Sequence, residues 1–298
     1  DFEILPYLHF DGTHFILTDY VPVSNTWIET EMQAMGNRVS GSAALFGFFE
    51  KLRGEAVDSV YGFNAELATS GSAVYGWVLG VNNNSGGRGR VWRGIDGWSC
   101  LANKCKVQFG YTGFTMSDGS TTIRGEVRPD IKFDMDNCFP CHTALVIGGY
   151  NGAVPSGAGS PGYGTPVRPY SLTDGGLDVY SFRISESDNG GPDGDNQQVM
   201  HYFVPVRRMS DSKEGFYDIV AGEFLPLKTE TIVKLDRKGG DSHPTNYVYA
   251  IAGEKLPSPI DVPTRGGYEF LGYNDQEDGK GTMYYRADGT SDETYPEE

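Results

Sequence analysis

The sequence predicts an all-β protein, a two-sheet sandwich followed by a smaller β domain. Three observations point there. The 298 residues include 41 Gly, 18 Tyr and 16 Phe, the composition of strands joined by glycine-rich turns. Short apolar–polar runs recur at spacings of about 8–12 residues, the rhythm of a sandwich. After Pro226 the texture changes, and from Thr229 to Glu298 there are 14 acids and 7 bases. The sandwich is therefore placed on residues 1–228 and the small domain on 229–298.

The elements follow in order. "LPYLHFDGTHFILTDYVPVSNTWIETEMQA" reads as three short strands. Asp11-Gly12 marks a hairpin turn, and Trp27, Ile28 and Met32 fall in a strand-like run. "AALFGFFE", "VYGFNAEL", "SAVYGWVLGV", "RVWRGI", "CKVQFGYTGFTM", "TTIRGEV", "DIKFDM" and "TALVIGGYN" continue the pattern, with Gly, Asn or Asp between the runs. Residues 151–176 are rich in Gly, Pro and Ser and read as a long surface loop. Strands resume at "LDVYSFRISES", where Tyr180, Phe182 and Ile184 are expected on one face. After the loop "SDNGGPDGDNQQ" comes "VMHYFVPVRRM", in which Pro205 suits a strand end or bulge.

Charge narrows the partners. A net charge of −16 repels phosphate backbones, so nucleic acid is excluded as a partner, and docking by charge on an anionic membrane is disfavoured. The sequence has no apolar run of about 18 residues, so no membrane span is expected. The opening "DFEILPYLHF" reads as a mature or trimmed N-terminus, and export is inferred.

Cys138, Cys141 and His142 have the C-x-x-C-H spacing of haem attachment. The motif falls between two strand candidates, where a sandwich turn offers no haem pocket, so haem is not expected. With Cys100 and Cys105 the chain carries C-x4-C…C-x2-C, for which a four-thiolate zinc site is the alternative. The favoured reading is disulfides in an exported protein. Of the three connectivities that four cysteines allow, local pairing, Cys100–Cys105 and Cys138–Cys141, is preferred because Asn103-Lys104 can turn a hairpin.

Calcium is the one cofactor expectation. "ESDNGGPDGDN" offers oxygen ligands at Asp188, Asn189, Asp193, Asp195 and Asn196, with Asp134, Asp136 and Asn137 as a second set. Catalysis is not expected. Glu29 and Glu31 alternate on one strand as glucanase carboxylates do, but the third acid of E-x-D-x-x-E is missing. Neither G-x-S-x-G nor H-E-x-x-H occurs. For ligand binding, Trp92 and Trp98 bracket "RGIDG", and with Arg93 and Asp96 they form the candidate sugar platform.

Two stretches, "YLHFDGTHFILTDYVPVSNTWIETEMQAM" and "VYSFRISESD…VMHYFVPVRRMSDSKEGFYDIVAGEF", resemble the opening and closing strands of the laminin-G-like, concanavalin A-like domains of bacterial surface proteins. The likeness covers roughly residues 4–226 and implies a jelly-roll sandwich, with calcium at the rim of many relatives. "PTRGGYEFLGY" and its surroundings resemble the Listeria–Bacteroides repeat of internalin-type surface proteins. That likeness implies a β-grasp-like fold with Tyr268, Phe270 and Tyr273 as aromatic core and Gly267 and Gly272 at tight positions. The repeat usually continues to a final apolar strand where this sequence reads "SDETYPEE", so an open edge near Tyr284 and Tyr285 is expected. Together the resemblances imply a secreted or surface-displayed bacterial protein with a non-catalytic role in adhesion, binding a glycan or a surface protein. The alternative they leave is a structural subunit that polymerises with itself by strand addition into a filament or layer.

Overall fold

The computed structural model describes residues 1–35, 43–50, 61–67, 74–80, 88–94, 97–127, 144–148, 166–167, 176–188, 191, 196–241 and 247–296. The first strands are β1 (Phe2–Ile4), β2 (Leu8–Phe10), β3 (His14–Leu17), β4 (Thr26–Ala34), β5 (Ala43–Glu50), β6 (Tyr61–Leu67), β7 (Val74–Gly80) and β8 (Arg88–Gly94). A short helix α1 (Gly97–Leu101) precedes β9 (Cys105–Gly110), β10 (Phe114–Ser117), β11 (Thr122–Arg124), β12 (Glu126–Val127), β13 (Val146–Ile147) and β14 (Pro166–Val167). Then come β15 (Leu177–Glu186), β16 (Gln198–Arg208), β17 (Glu214–Asp218), β18 (Glu223–Pro226), β19 (Lys228–Lys234), β20 (Tyr247–Ile251), β21 (Gly272–Asn274) and β22 (Met283–Arg286). The chain is all-β apart from α1 among the described residues. It divides into two compact units: the larger spans Asp1–Gly152 and Pro166–Leu227, and the smaller includes Lys228–Glu298.

In the larger unit the first sheet runs β11-β10-β9-β4-β15-β16-β17-β18, with β2 also on β15 and β1 also on β16. The second runs β12-β8-β7-β6-β5-β13-β3, with β14 also on β5. The named pairings are all antiparallel. The alternation in "TWIETEMQA" sets the facing of the central strand. Ile28, Thr30, Met32 and Ala34 are buried, and Glu29, Glu31 and Gln33 are half-exposed on the other face. The buried rows of the two sheets meet in one core. Phe46 and Phe63 of the second sheet pack on Phe182 and Phe109 of the first, with ring centroids 5.3 Å (Phe46–Phe182) and 4.8 Å (Phe63–Phe109) apart. Edge-to-face aromatic pairs like these add to the area they bury. Gly148, at φ 89°, leaves room for Phe10, whose ring lies 2.1 Å from where a Cβ would stand.

Several sequence expectations are corrected. Tyr180 does not share a face with Phe182 and Ile184. The register between β15 and β4 shifts between Val179 and Ser181, which turns Tyr180 outward. The buried Thr30 hydroxyl donates to the Ser181 carbonyl at this bulge, 2.7 Å away. Pro205 lies inside β16 rather than at its end. It is tolerated because β16 changes partner there: pairing with β15 ends at Phe203 and pairing with β1 begins at Val206. Within the stretch read as loop, Pro166–Val167 pairs with β5. Helix α1 had no counterpart in the sequence expectations, while "DIKFDM" lies outside the described residues.

The smaller unit holds two hairpin-like pairs, β19–β20 and β21–β22. Its core gathers Leu235, Val248, Ala250, Leu256, Ile260, Tyr273 and Tyr285. Tyr273 is buried and Phe270 packs partly against the cluster, as read from the sequence. Tyr268 is not core: it is 67% exposed, with the Arg265 guanidinium 4.0 Å above its ring. Gly267 and Gly272 both have positive φ, and at Gly272 a Cβ would stand 2.3 Å from the Tyr285 carbonyl oxygen.

Candidate binding face of the larger unit

The outward positions of β4 start a polar ladder. Register sets Glu29 opposite Gln108 of β9 and Arg183 of β15, and sets Gln108 opposite Thr115 of β10. Hydrogen bonds connect the rungs. The Thr115 hydroxyl donates to Gln108 Oε1 at 2.9 Å, and Gln108 Nε2 donates to Glu29 Oε2 at 2.7 Å. Arg183 Nη2 donates to Glu29 Oε1 at 2.9 Å, and Lys106 Nζ lies 2.7 Å from Glu29 Oε2. Arg183 Nε has no partner among the described residues. One step along, Lys104 pairs with Glu31 at 2.6 Å and covers the Tyr180 ring at 4.5 Å. The Tyr180 hydroxyl donates to Gln33 Oε1 at 3.1 Å. At the far end of the row Trp27 is 1% exposed, with Gly113 against its ring.

The electrostatics oppose proton transfer at this face. Burial raises the cost of charge on Glu29, but Lys106, Gln108 and Arg183 outweigh it and hold the carboxyl below its usual range. A carboxylate pinned in the ionised form by two cations is a poor general acid. It is a fixed hydrogen-bond acceptor beside fixed donors, suited to a polar ligand.

A second polar cluster lies at one end of the inner face. His201 Nδ1 donates to Asp218 Oδ2 at 2.6 Å, and the His201 ring stacks on Phe203 at 5.5 Å. Burial disfavours the Asp218 charge, yet His201 and the backbone N–H groups of Tyr202, Val220 and Ala221 bring its carboxyl below the ordinary value. Nearby, the Tyr20 hydroxyl is 2.6 Å from the Thr26 hydroxyl and donates to Glu186 at 3.2 Å. His9 and Asp178 form a second such pair at 2.6 Å. Among the described residues no Ser or Cys hydroxyl or thiol bonds to either imidazole.

The residues singled out from sequence fall elsewhere. Trp92 is 7% exposed and belongs to the core, and Trp98 packs against that core from α1. The Trp92 indole is therefore covered, and the Trp98 indole is half-buried. Arg93 lies on β8, its backbone opposite Tyr75 and Glu126. Asp96 is outside the described residues. Of the calcium candidates, Asp188 is exposed and accepts from Asn196 Nδ2 at 3.0 Å. Asn189, Asp193 and Asp195 lie outside the described residues, as do Asp134, Asp136 and Asn137. Among the described residues no three His, Cys, Asp or Glu side chains gather as metal ligands.

Cys100 and Cys105 are both buried and free, so the bridge expected between them is not formed. The Cys105 thiol donates to the Lys106 carbonyl at 3.6 Å, and burial pushes Cys105 up to about 12 and Cys100 upward. Cys100 is buried on helix α1, whereas the expected hairpin at Asn103-Lys104 would have set it on a strand. Cys138, Cys141 and His142 lie outside the described residues. No described helix is long and apolar enough to cross a membrane.

The sequence reading weighed Glu29 and Glu31 only as catalytic acids and passed over Lys106, Gln108 and Arg183. Their signal was present as the polar alternate positions of "CKVQFG" and "YSFRIS". Only the strand order brings them beside β4. No protein-family model matches the chain, and no curated protein matches it.

Proposed function

We propose that the chain is a non-catalytic extracellular protein of a bacterial surface that binds a glycan or a protein partner. In this reading the larger unit is a laminin-G-like, concanavalin A-like jelly roll and the smaller is an internalin-type repeat. The supporting observation is the ladder Thr115–Gln108–Glu29–Arg183, with Lys106 on the same carboxylate. Its acid is neutralised in place, and its donors and acceptors are held by neighbouring strands. Ligand hydroxyls or amides would meet prepaired groups with little side-chain entropy left to lose. The Arg183 side chain, 34% exposed, is a cationic group open to the ligand.

The test is retention of the full chain on a glycan array and a protein array, each with and without calcium. At least one ligand is expected to be retained, and Arg183→Ala is expected to weaken it about tenfold or more. Retention on neither array overturns the reading. A calcium requirement would direct attention to Asp188 and the loop that follows it.

A second reading is a structural subunit that assembles through strand addition. It draws on the smaller unit, where β20 pairs with β19 alone and β22 with β21 alone among the described residues of that unit. Strands with one free flank are templates for another chain. Negative-stain microscopy at high protein concentration separates the two: ordered fibres or sheets support assembly, dispersed particles the binding role.

A further inference from the structure

The smaller unit contains a cavity of about 570 Å³ between its two strand pairs. Val233 and Val248 line it from β19 and β20, and Leu256 closes the apolar side. Tyr273, Tyr284 and Tyr285 line it from β21 and β22, and Tyr295 completes the aromatic wall. This volume and lining are those of a small-molecule pocket.

We infer that the cavity is a binding site for a compact, mostly apolar ring that carries a single hydrogen-bonding group, such as a phenol. The polar groups at its rim decide the class. Asn274 Nδ2 donates to the Gly279 and Gly281 carbonyls, and Asn274 Oδ1 accepts from the Gln276 and Gly281 N–H groups. Asp275 accepts from Thr282 N–H. Lys238 spans Glu277 at 2.6 Å and Asp236 at 3.4 Å. These groups are taken up by their own loops and by one another. The Tyr285 hydroxyl donates to the Pro257 carbonyl at 3.0 Å. Tyr273 is different: it is 8% exposed and its hydroxyl has no partner among the described residues. A saccharide would bring several hydroxyls to a wall that is mostly apolar and aromatic. An aromatic ring with one polar substituent matches both the tyrosine faces and the buried, unpartnered Tyr273 hydroxyl.

The site lies in a different unit from the polar ladder, so the inference stands apart from the proposed function. Its test titrates the full chain with p-cresol, toluene, methyl glucoside and an acetylated Gly-Tyr-Gly amide, followed by saturation-transfer NMR and calorimetry. Saturable p-cresol binding is expected, with toluene about fivefold weaker and no binding of methyl glucoside. Val233→Phe fills the cavity and is expected to weaken p-cresol about tenfold or more. Tyr273→Phe removes the hydroxyl without changing the ring and is expected to abolish the preference for p-cresol over toluene. That cycle carries the test even if Val233→Phe does not fold. Tighter binding of the peptide than of p-cresol would identify the source of the ring as a peptide side chain, and weaker binding a free small molecule. Absence of p-cresol binding, binding indifferent to both variants, or binding of methyl glucoside lost in Val233→Phe would overturn the inference.

Discussion

The two units solve the same problem, burying aromatic side chains between β-strands, in different ways. In the larger unit, strands of up to 11 residues share long registers, and each writes out two faces at once. The inner rows interlock Phe46, Phe63, Phe109 and Phe182, and the outer rows assemble the ladder around Glu29. In the smaller unit the β21 and β22 strands have 3 and 4 residues, too few to define a face by register. Shape there is held by short polar turns. Asp236, Asp278 and Asp288 each accept the N–H two residues on, and Gly272 lets β21 approach β22 closely. Long register closes a core, whereas turn-held pairs leave a cavity between them.

The largest effect expected from that contrast is in the sandwich core. Phe109 is fully buried and touches rings from both sheets. Phe109→Ala is expected to cost about 3–5 kcal/mol, through lost transfer energy and the cavity left behind. Urea unfolding followed by near-ultraviolet circular dichroism measures it. A loss below about 1 kcal/mol would mean that the two sheets are not closed on each other at this point.

Next comes the turn-held unit. Gly272→Ala combines a positive φ with a Cβ aimed at the Tyr285 carbonyl oxygen. About 1–3 kcal/mol of strain is expected, confined to the smaller unit's unfolding transition. Differential scanning calorimetry checks it. Equal shifts in every transition would show that the units do not unfold separately.

The contrast also explains how much could be read in advance. β4, β15 and β16 were legible because alternation over nine or more residues is a strong signal. The outward turn of Tyr180 was not, since a one-residue bulge reverses the facing of everything before it and leaves no mark in composition. Trp92 reads as a platform because it brackets "RGIDG" with Trp98, yet it lies within a strand whose alternate face is core. The binding face was missed for a different reason. Glu29, Gln108 and Arg183 are 79 and 154 residues apart in sequence from Glu29 to each partner, and strand order alone brings them together.

An effect of similar size is expected at Asp218, with a pH signature. Burial opposes its charge, but His201 and the surrounding N–H groups hold the folded carboxyl below its ordinary value. The unfolded chain, with Asp near about 3.9, therefore binds the proton more readily. The contribution to stability is full above that value and is lost as the pH falls through the folded value. Asp218→Asn is expected to cost about 1–3 kcal/mol at neutral pH and to flatten the acid limb of the stability curve. Urea midpoints measured from about pH 2 to pH 7 test both parts. An unchanged acid slope would remove Asp218 from the account.

The smallest effect belongs to the clasp at the smaller unit's rim. Lys238 reaches Glu277 and Asp236 from a side chain 63% exposed, and its partners are 86% and 68% exposed. Charges this open to water are screened at about 0.15 M salt and must hold long side chains in one geometry. Lys238→Ala is therefore expected to leave the smaller unit's thermal midpoint unchanged in that salt. At about 0.01 M salt a small drop is expected, because the screening length grows from about 8 Å to about 30 Å and the attraction is then weakened least. A drop that persists in high salt would mean that Lys238 acts through its aliphatic stem, covering the apolar cavity wall, and not through its charge. The clasp would then belong to the packing of the cavity, and p-cresol binding should weaken with it.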